Sequence, residues 1–452
     1  MNLCFVPMRA TVRCPAPRGA LLAALVAAFA ALVALPNVGG AQDTTSQRGV
    51  RIGLSYALGS KPGVYVAPVS GAHGDSLRAI LQRDLDFGDR VTLIGIDSAG
   101  IALAPLLGNG RPSYDVFSRL GAAALVIPIV SPTGVRITLH DVGAKKVVET
   151  RDFALRGAPY SREWRASLHA TSDAVEEWVT GVRGIAATRV AYVRASHIYV
   201  VDSDGASETL ASPVTPVLSP AWSPDGARVA YSELSNSGSR IGVIDLASGA
   251  NHTLVSRGGL NITPAFSPDG STIIFSSGQD EGTDLWTIPA RGGAAHRVTV
   301  GRGTDNVSPS YSPDGRRVAF TSGRSGHPEV YIMDADGTGA ELLTPFAFGD
   351  QYYRSNPDWS PDGRNVAFQS QLAGQFQIMT ISLRDRGVKQ HTSESTNEDP
   401  SWAPDGRHIV FTSSRTGVKQ LWVLDTESGR VRQLTRSGGA RLAAWSPRLV
   451  SR

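Results

Sequence analysis

The sequence predicts an N-terminal α/β domain followed by an all-β, six-bladed β-propeller whose first blade is closed by the C-terminal strand. Three observations lead to this fold class: a phrase repeated five times, the strand patterns around it, and what the two ends of the repeat region lack. Each copy is an aromatic residue followed by Ser or Ala and then Pro-Asp-Gly, and the copies start at Trp222, Phe266, Tyr311, Trp359 and Trp402. Their spacing of roughly 43 to 48 residues is the period of a four-stranded blade.

Each phrase encodes a tight turn between two strands. Pro presets φ for the first central position, Asp tolerates the second, and Gly adopts the left-handed position that follows. The residues after the turn alternate as in a β-strand, for example Arg317-Val-Ala-Phe320. The turn therefore joins the inner strand of a blade to its second strand. A third strand, such as residues 330–334, and a short fourth strand, such as residues 431–435, complete the blade.

The ends of the repeat region predict how the ring closes. Arg189-Val-Ala-Tyr-Val193 is a second strand with no repeated phrase before it, and Ala444-Trp-Ser-Pro447 is an inner strand with no second strand after its turn. Each end supplies what the other lacks. We therefore predict six blades in residues 184–452, with a closed ring that leaves no open sheet edge between its ends.

Residues 50–183 contain no repeat and alternate strand and helix patterns. The predicted strands cover residues 50–54, 64–69, 91–96, 124–130, 135–141 and 146–153, and a short helix covers 114–120. Longer helices are predicted over 75–87 and 161–179, the second with Ser161 as its N-cap and Gly181 as its end. This order predicts a small α/β domain with helices against a mixed sheet. Because the connection over 180–188 is short, we expect the domain to dock on the propeller.

The first 41 residues have the features of a secretory signal. Arg9, Arg13 and Arg18 precede an apolar run over residues 21–35, and small residues follow up to Ala41. About 15 apolar residues are too few for a typical membrane span, so stable membrane insertion is not expected. We predict a Sec-type signal that is cleaved after Ala41, and a flexible mature N-terminus over residues 42–49.

Composition and motifs exclude several functions. Both cysteines, Cys4 and Cys14, lie in the predicted signal, so the mature chain has no Cys-based site. The formal charge of +4 loses three arginines with the signal, and 4 − 3 leaves +1, which argues against a nucleic-acid surface. The sequence has no Gly-x-Ser-x-Gly, P-loop or His-Glu-x-x-His motif. We therefore expect a protein without catalytic residues, metal or cofactor, in which the Asp of each repeated phrase forms a turn.

Three segments carry a resemblance to a known family. They are the junction Asp173-Ala-Val-Glu-Glu-Trp-Val-Thr-Gly-Val-Arg-Gly184 followed by Thr188 to Val193, the helix Gly74-Asp-Ser-Leu-Arg-Ala-Ile-Leu-Gln-Arg-Asp-Leu85, and the ending Ala444-Trp-Ser-Pro447. Together with the repeats, these segments resemble the TolB family of the Tol-Pal cell-envelope system. The resemblance covers essentially the whole chain after the predicted signal.

The resemblance implies a non-enzymatic, periplasmic protein-binding adaptor that supports outer-membrane integrity and envelope constriction at cell division. In this family the propeller mouth receives Pal, a lipoprotein that grips peptidoglycan, and the first mature residues can reach the inner-membrane protein TolA. The matching mouth positions are Leu260, Asn261, Thr263, Asn306, Val307, Asn356 and Asn397. The matching N-terminal positions are Val50, Arg51, Leu54, Ser55 and Lys61.

The residues themselves leave alternatives open. Small polar residues on loops that converge at a channel are typical of a binding site, but asparagine side chains also hydrogen-bond local backbone. The N-terminal stretch from Leu54 to Lys61 carries no acid, unlike the corresponding segment of the family. A glycan or small-molecule binder, or a propeller enzyme with a channel site, remains an alternative function. A channel cation held by carboxylates such as Asp305 also remains open.

Overall fold

The computed structural model describes Leu54, residues 60–95, Leu107 and residues 112–449, apart from positions 213, 215, 237, 257, 281, 302 and 346–351. These residues belong to one compact unit that spans residues 51–452. Among the described helices, none has the length and apolar character that crossing a membrane requires. The predicted signal and the segment 42–49 lie outside the described residues, as does the predicted strand over 50–54 except for Leu54.

The α/β region, residues 60–180, is built on a five-stranded mixed sheet in the order β2-β1-β3-β4-β5. Its strands are β1 (Gly63–Val66), β2 (Thr92–Leu93), β3 (Ala124–Ser131), β4 (Gly134–Asp141) and β5 (Lys146–Ala154), and its helices are α1 (Gly74–Phe87), α2 (Tyr114–Arg119) and α3 (Arg162–Thr180). Strand β1 pairs in parallel with β2 and β3, whereas β3, β4 and β5 pair antiparallel. The predicted mixed sheet is confirmed.

Helices α1 and α3 cover one face of this sheet because each has an apolar stripe at helical spacing. Leu77, Leu81 and Leu85 of α1 pack with Leu168 and Val175 of α3 in one buried cluster with the sheet. Both ends of α3 agree with the sequence prediction. The Ser161 hydroxyl accepts the Trp164 backbone N–H at 3.2 Å, and Gly181 ends the helix with a left-handed φ of 77°.

The propeller follows as six four-stranded antiparallel sheets. Blades 2 and 3 consist of β9 (Val217–Trp222), β10 (Arg228–Ser235), β11 (Gly238–Asp245) and β12 (Asn251–Val255), then β13 (Leu260–Phe266), β14 (Thr272–Asp280), β15 (Gly282–Pro289) and β16 (His296–Arg297). Blades 4 and 5 consist of β17 (Asn306–Tyr311), β18 (Arg317–Ser322), β19 (Glu329–Asp334) and β20 (Glu341–Leu342), then β21 (Arg354–Trp359), β22 (Asn365–Leu372), β23 (Gln375–Ser382) and β24 (Val388–Gln390). Blade 6 consists of β25 (Asn397–Trp402), β26 (His408–Ser413), β27 (Gln420–Asp425) and β28 (Val431–Gln433).

Blade 1 joins the two ends of the ring, as the sequence predicts. It combines β6 (Arg189–Arg194), β7 (His197–Asp202) and β8 (Thr209–Leu210) with the C-terminal strand β29 (Arg441–Trp445) in the order β29-β6-β7-β8. Beyond the strand pairing, the backbone N–H of Arg189 donates to Ser446 Oγ at 2.9 Å, and the Trp445 indole donates to Thr188 Oγ1 at 2.8 Å. Backbone and side chains therefore both lock the closure.

The two ends of the propeller have different neighbours. The repeated phrases form the turns at one end, here called the hairpin end, and the inner strands begin at the other, here called the mouth. The α/β region contacts the hairpin end of blades 1 and 6: Arg90 donates to Asp405 at 3.1 Å, and Arg165 donates to Asp204 at 2.5 Å. The mouth is therefore the end opposite the docked α/β region.

Candidate functional site at the propeller mouth

A ring of bulged residues forms the wall of the central channel. Every inner strand has one residue with a left-handed φ of 51° to 54°, and these residues are Ser219, Thr263, Ser308, Asn356, Asp399 and Leu442. Five of the six precede a proline, and the strand register shifts at each of them. A β-bulge of this kind re-aims a side chain out of the regular alternation. All six residues line the channel.

The preceding blade holds the backbone of this ring in place. The N–H of Asn356 donates to Thr321 Oγ1 at 3.1 Å, and that of Leu442 donates to Thr412 Oγ1 at 3.2 Å. The N–H of Asp399 donates to Gln369 Oε1 at 2.8 Å. Because each acceptor lies on the second strand of the previous blade, neighbouring blades stabilise the uncommon left-handed conformation together.

The channel encloses a cavity of about 370 Å³ whose charged groups lie on one side. Asp399 accepts from the Asn356 amide at 2.7 Å, and Asp358 accepts from the Trp402 backbone N–H at 2.7 Å. Burial raises the pKa of Asp358 to about 6 and also raises the pKa of Asp399. Asp305, the carboxylate suggested by the sequence for a channel cation, does not line the cavity. The pattern of an aspartate next to a proline in the inner strands is the signal that would have identified Asp358 and Asp399.

Three of the predicted mouth residues, Asn261, Asn306 and Asn397, have no exposed surface. The Asn306 amide donates to Asp284 Oδ1 of the preceding blade at 3.0 Å, and its oxygen accepts from Ser322 Oγ at 2.8 Å. Asn397 makes the equivalent bond to Gln377 Oε1 of the preceding blade at 2.9 Å. These buried side chains join adjacent blades by hydrogen bonds and cannot contact a partner directly. They can influence partner binding only by holding the mouth loops in position.

The other predicted positions are accessible. Thr263 and Asn356 belong to the channel ring, where Asn356 also accepts from Ser308 Oγ at 3.1 Å. Leu260 is 40% exposed at the rim, and Val307 is partly exposed. Partner binding at these positions stays a prediction.

Besides Leu260, the rim exposes three apolar side chains that were not among the predicted partner-binding residues. Val300 is 69% exposed, Tyr353 43% and Val418 53%, and each lies in a connection at the mouth. With Leu260 they place apolar surface around the channel entrance. Single large apolar residues within otherwise polar connections are the sequence signal that would have pointed to them.

Comparison with known proteins identifies the family of this propeller. The family described as "TolB beta propeller domain" (PD40) matches residues 176–449, which is more than half of the chain. The chain belongs to the TolB propeller family.

Individual TolB proteins show how far the similarity extends. The Tol-Pal system protein TolB of Polaromonas naphthalenivorans is 39% identical over 151 residues, or 30% of this chain and 33% of that protein. TolB of Haemophilus influenzae strain Rd is 32% identical over 241 residues, or 50% of this chain and 55% of that protein. The chain thus spans between a third and about half of the length of these curated relatives. The crystal structure of TolB from Acinetobacter baumannii matches with a TM-score of 0.74 and 25% identity, covering 86% of this chain and 97% of that one.

The N-terminal positions suggested by the TolB resemblance are partly described. Val50, Arg51 and Ser55 lie outside the described residues. Leu54 is buried in the core of the α/β region, and Lys61 pairs with Asp89 at 2.9 Å. Lys61 lines a cleft of about 380 Å³ between the α/β region and blade 6.

The junction segment that resembles TolB places two buried acids against the propeller. Asp173 accepts the backbone N–H of Ala186 at 2.6 Å, and burial raises its pKa to about 6. Glu176 is 3% exposed, and its carboxylate lies 3.4 Å from Arg90 Nε. Burial, followed by the charge of Asp173, raises the Glu176 pKa to about 8.

A second cluster between the α/β region and the propeller contains residue types that can bind a metal, but one of its carboxylates is already paired with arginines. Potential ligand atoms of Asp84, His169 and Asp204 lie within 4.8 Å of one another. His169 Nδ1 lies 2.8 Å from Asp84, while Arg83 and Arg165 both contact Asp204. Burial lowers the pKa of His169, but the Asp84 carboxylate outweighs it and the pKa is raised. With two guanidinium groups on Asp204, the arrangement fits an ion-pair network between the two parts of the chain.

Proposed function

We propose that this chain is a non-enzymatic periplasmic adaptor of the Tol-Pal system that binds a Pal-like peptidoglycan-associated lipoprotein at its propeller mouth. In this role it supports outer-membrane integrity and envelope constriction at cell division. Membership of the TolB family supports the assignment to the system. The observation that carries the proposed site is the exposed apolar rim around the channel, at the end that the α/β region leaves open.

The rim has the composition expected of a protein-binding surface. Leu260 at the start of β13, and Val300 and Tyr353 in the connections that lead to blades 4 and 5, expose apolar side chains. Tyr353 stands edge-on to Phe376 with ring centroids 5.4 Å apart, which holds an amphipathic side chain in place. Aromatic and aliphatic anchors near a concave centre typically supply most of the binding energy of an interface.

Contact with a TolA-like inner-membrane protein through the N-terminal segment is part of the same proposal. Leu54 packs in the core of the α/β region and Lys61 is held by Asp89. Both described positions are therefore engaged with the folded chain. The contact would then involve Val50, Arg51 or Ser55. Deleting residues 42–51 from the mature chain and changing Ser55→Ala should remove TolA-like capture while Pal-like binding persists.

The direct test measures binding of the soluble domain of the Pal-like lipoprotein from the same organism by calorimetry. Leu260→Asp combined with Tyr353→Asp should weaken binding by at least about tenfold, because two apolar anchors become charged. The control is Leu210→Asp, since Leu210 is 53% exposed but lies on the outer strand β8. Absence of binding by the unaltered chain, or equal loss in the control, would reject the proposed site. Charge substitutions at Asn261 or Asn306 are unsuitable because both side chains are buried.

A further inference from the structure

Three arginines occur close together on the mouth connections of blades 6 and 1. Arg415 lies between β26 and β27, Arg436 follows β28, and Arg441 begins β29. The two connections pack on each other: the N–H of Ala440 donates to the Lys419 carbonyl at 3.2 Å, and the N–H of Leu421 donates to Thr435 Oγ1 at 2.9 Å. The arginines therefore share one continuous surface, which we call the basic sector and define as Arg415, Val418, Arg436 and Arg441.

The three arginines of the basic sector are not engaged in close ion pairs. In the part of the chain that the structure describes, no carboxylate oxygen lies within 4.0 Å of its three guanidinium groups. Several other cations at the mouth are paired, such as Arg194 with Glu208 at 2.6 Å, Arg354 with Glu329 at 3.2 Å and Lys419 with Glu398. Arg324 of blade 4 donates to Asn306 as Arg415 donates to Asn397, and among the described residues it also has no carboxylate within 4.0 Å. Of the nearby acids, Glu398 is engaged by Lys419, and Asp399 is held by the Asn356 amide. The exposed Glu394 also attracts Arg415 electrostatically, but it lies beyond ion-pair distance of the guanidinium.

Neutral groups hold Arg415 in a fixed position. Its Nε donates to Ser413 Oγ at 3.0 Å, and its Nη2 donates to Asn397 Oδ1 at 3.1 Å. Its guanidinium carbon lies 4.7 Å from the centroid of the Trp422 ring. The Nη1 group has no acceptor among the described residues. A guanidinium that is positioned in this way can donate to a carboxylate with little loss of side-chain entropy.

Val418 adds an apolar contact to the same surface. It is 53% exposed and lies in the connection that carries Arg415, and a Cβ atom at Gly438 would be 3.8 Å from its side chain. Arg441 directly precedes Leu442 of the channel ring, so the sector continues into the channel wall. From these contacts we propose that the basic sector docks an acidic protein segment that carries an apolar side chain among its carboxylates.

The shape of the site favours a protein segment over the other anionic classes. The sector includes the exposed apolar residue Val418, which a phosphate backbone does not use, and it continues through Arg441 into Leu442 of the channel wall, which a flat lipid surface does not enter. The proposal rests on the proposed function because it places the partner at the same propeller mouth. It adds that the partner segment is acidic and carries an apolar side chain. It also extends the site to blades 6 and 1, beyond the apolar rim of blades 3 to 5.

The test variant is Arg415→Glu combined with Arg441→Glu, and it is measured with two probes. The first probe is the Pal-like soluble domain, and the second is a labelled synthetic peptide of alternating Glu and Leu, compared with its Gln and Leu counterpart. We expect the variant to bind the Pal-like domain and the Glu peptide about tenfold more weakly or worse. We also expect the unaltered chain to prefer the Glu peptide, with an affinity that falls as NaCl is added.

The matched control reverses two arginines at the hairpin end. Arg316 and Arg364 are both exposed beside the repeated turns, so Arg316→Glu with Arg364→Glu makes the same charge change away from the mouth. This control should bind both probes like the unaltered chain, and thermal unfolding should show that both variants are folded.

The outcomes separate this inference from the proposed function. If the Pal-like domain binds but charge reversal at the sector has no effect, the basic sector is rejected and the function stands. If the Pal-like domain does not bind at all, the proposed function fails. The basic sector is then tested by the peptides alone, and equal affinity for the Glu and Gln peptides rejects it. Phosphatidylglycerol vesicles are added as a third probe: if charge reversal weakens binding to the vesicles and to neither protein nor peptide, the sector is a lipid site and the proposal is rejected.

Discussion

The mouth asparagines show how a polar residue on a loop can serve the fold. Asn306 and Asn397 occupy equivalent positions, and each uses its amide to reach the start of the third strand of the preceding blade. Each also accepts from an arginine of its own blade, Arg324 or Arg415, at 3.1 Å. The same side chain thus joins two blades and orients an arginine at the mouth. Although it is fully buried, it does both through hydrogen bonds.

Replacing Asn306 should therefore lower the free energy of unfolding. Asn306→Leu removes the donor to Asp284 and the acceptor of Ser322 inside a buried site. We expect a loss of about 2 to 4 kcal/mol in urea unfolding. Asn365→Leu is the control, because Asn365 is partly exposed and its side chain makes no hydrogen bond to the residues that the structure describes; it should change stability by less than about 0.5 kcal/mol. Equal effects of the two variants would contradict the role of Asn306.

At the scale of elements, the closing strand β29 is required to complete blade 1. Without it, the sheet of β6, β7 and β8 has no inner strand, and Trp222 of blade 2 loses the Ala444 carbonyl to which its indole donates at 3.0 Å. The strand also contributes Leu442 to the channel ring. The integrity of the ring and of the channel wall therefore depends on the same five residues.

A chain that ends at Ala440 should not form a stable ring. Loss of β29 exposes the inner edge of β6 and removes Trp445 from the buried cluster around Val190. We expect a thermal midpoint that is lower by at least about 10 °C, together with rapid trypsin cleavage, because several kcal/mol of burial are removed. A chain that ends at Leu449 keeps β29 and should behave like the full chain. Similar protease resistance of the two shortened chains would refute the closure role.

The elements could be predicted from the sequence to a large extent because their signals are local. Repeated turns, alternating strands and the helix signals at Ser161 and Gly181 all act within a few residues of the chain. The closing strand is a long-range feature, but it was predictable because Arg189–Val193 and Ala444–Pro447 are complementary fragments of one repeat. The burial of Asn306 was not predictable, since its partner Asp284 lies 22 residues away on another blade. The basic sector was not predicted for the same reason, because the connections that carry Arg415 and Arg441 pack on each other only in the closed ring.

On the scale of the whole molecule, buried ionisable groups join the α/β region to the propeller. Glu176 of α3 faces Asp173 of its own helix, Arg90 from the end of α1, and Asp405 and Arg407 of blade 6. Its Oε1 atom has no hydrogen-bond partner in the described part of the chain. A neutral carboxyl is therefore favoured at this position in the folded state.

Stability should consequently fall as the pH rises through neutrality. The pKa of Glu176 is raised from its ordinary value of 4.5 to about 8, so the folded state binds a proton that the unfolded state releases between these values. Its contribution is present below pH 4.5 and is lost as the pH approaches 8, with a slope of up to about 1.4 kcal/mol per pH unit. Urea unfolding at pH 7, 7.5 and 8 lies above the pKa values of Asp173 and Asp358, which are both about 6.

Glu176→Gln should flatten this pH dependence, because the amide cannot ionise. Glu177→Gln is the control, since Glu177 is its helix neighbour but is 48% exposed. Parallel pH profiles for Glu176→Gln and the unaltered chain would show that the buried carboxyl is not the titrating group.

The C-terminal strand also has a mechanical consequence. It begins at the mouth with Arg441, and just beyond its end Arg448 donates to the carbonyl of Arg183, at the junction with the α/β region, at 3.1 Å. A pull on the mouth at Arg441 would load β29 along its axis, and its antiparallel hydrogen bonds to β6 lie across that axis. These hydrogen bonds would then be loaded in shear and would have to break together, instead of one after another. The strand can transmit tension across the full height of the ring to the docked region without the blades separating.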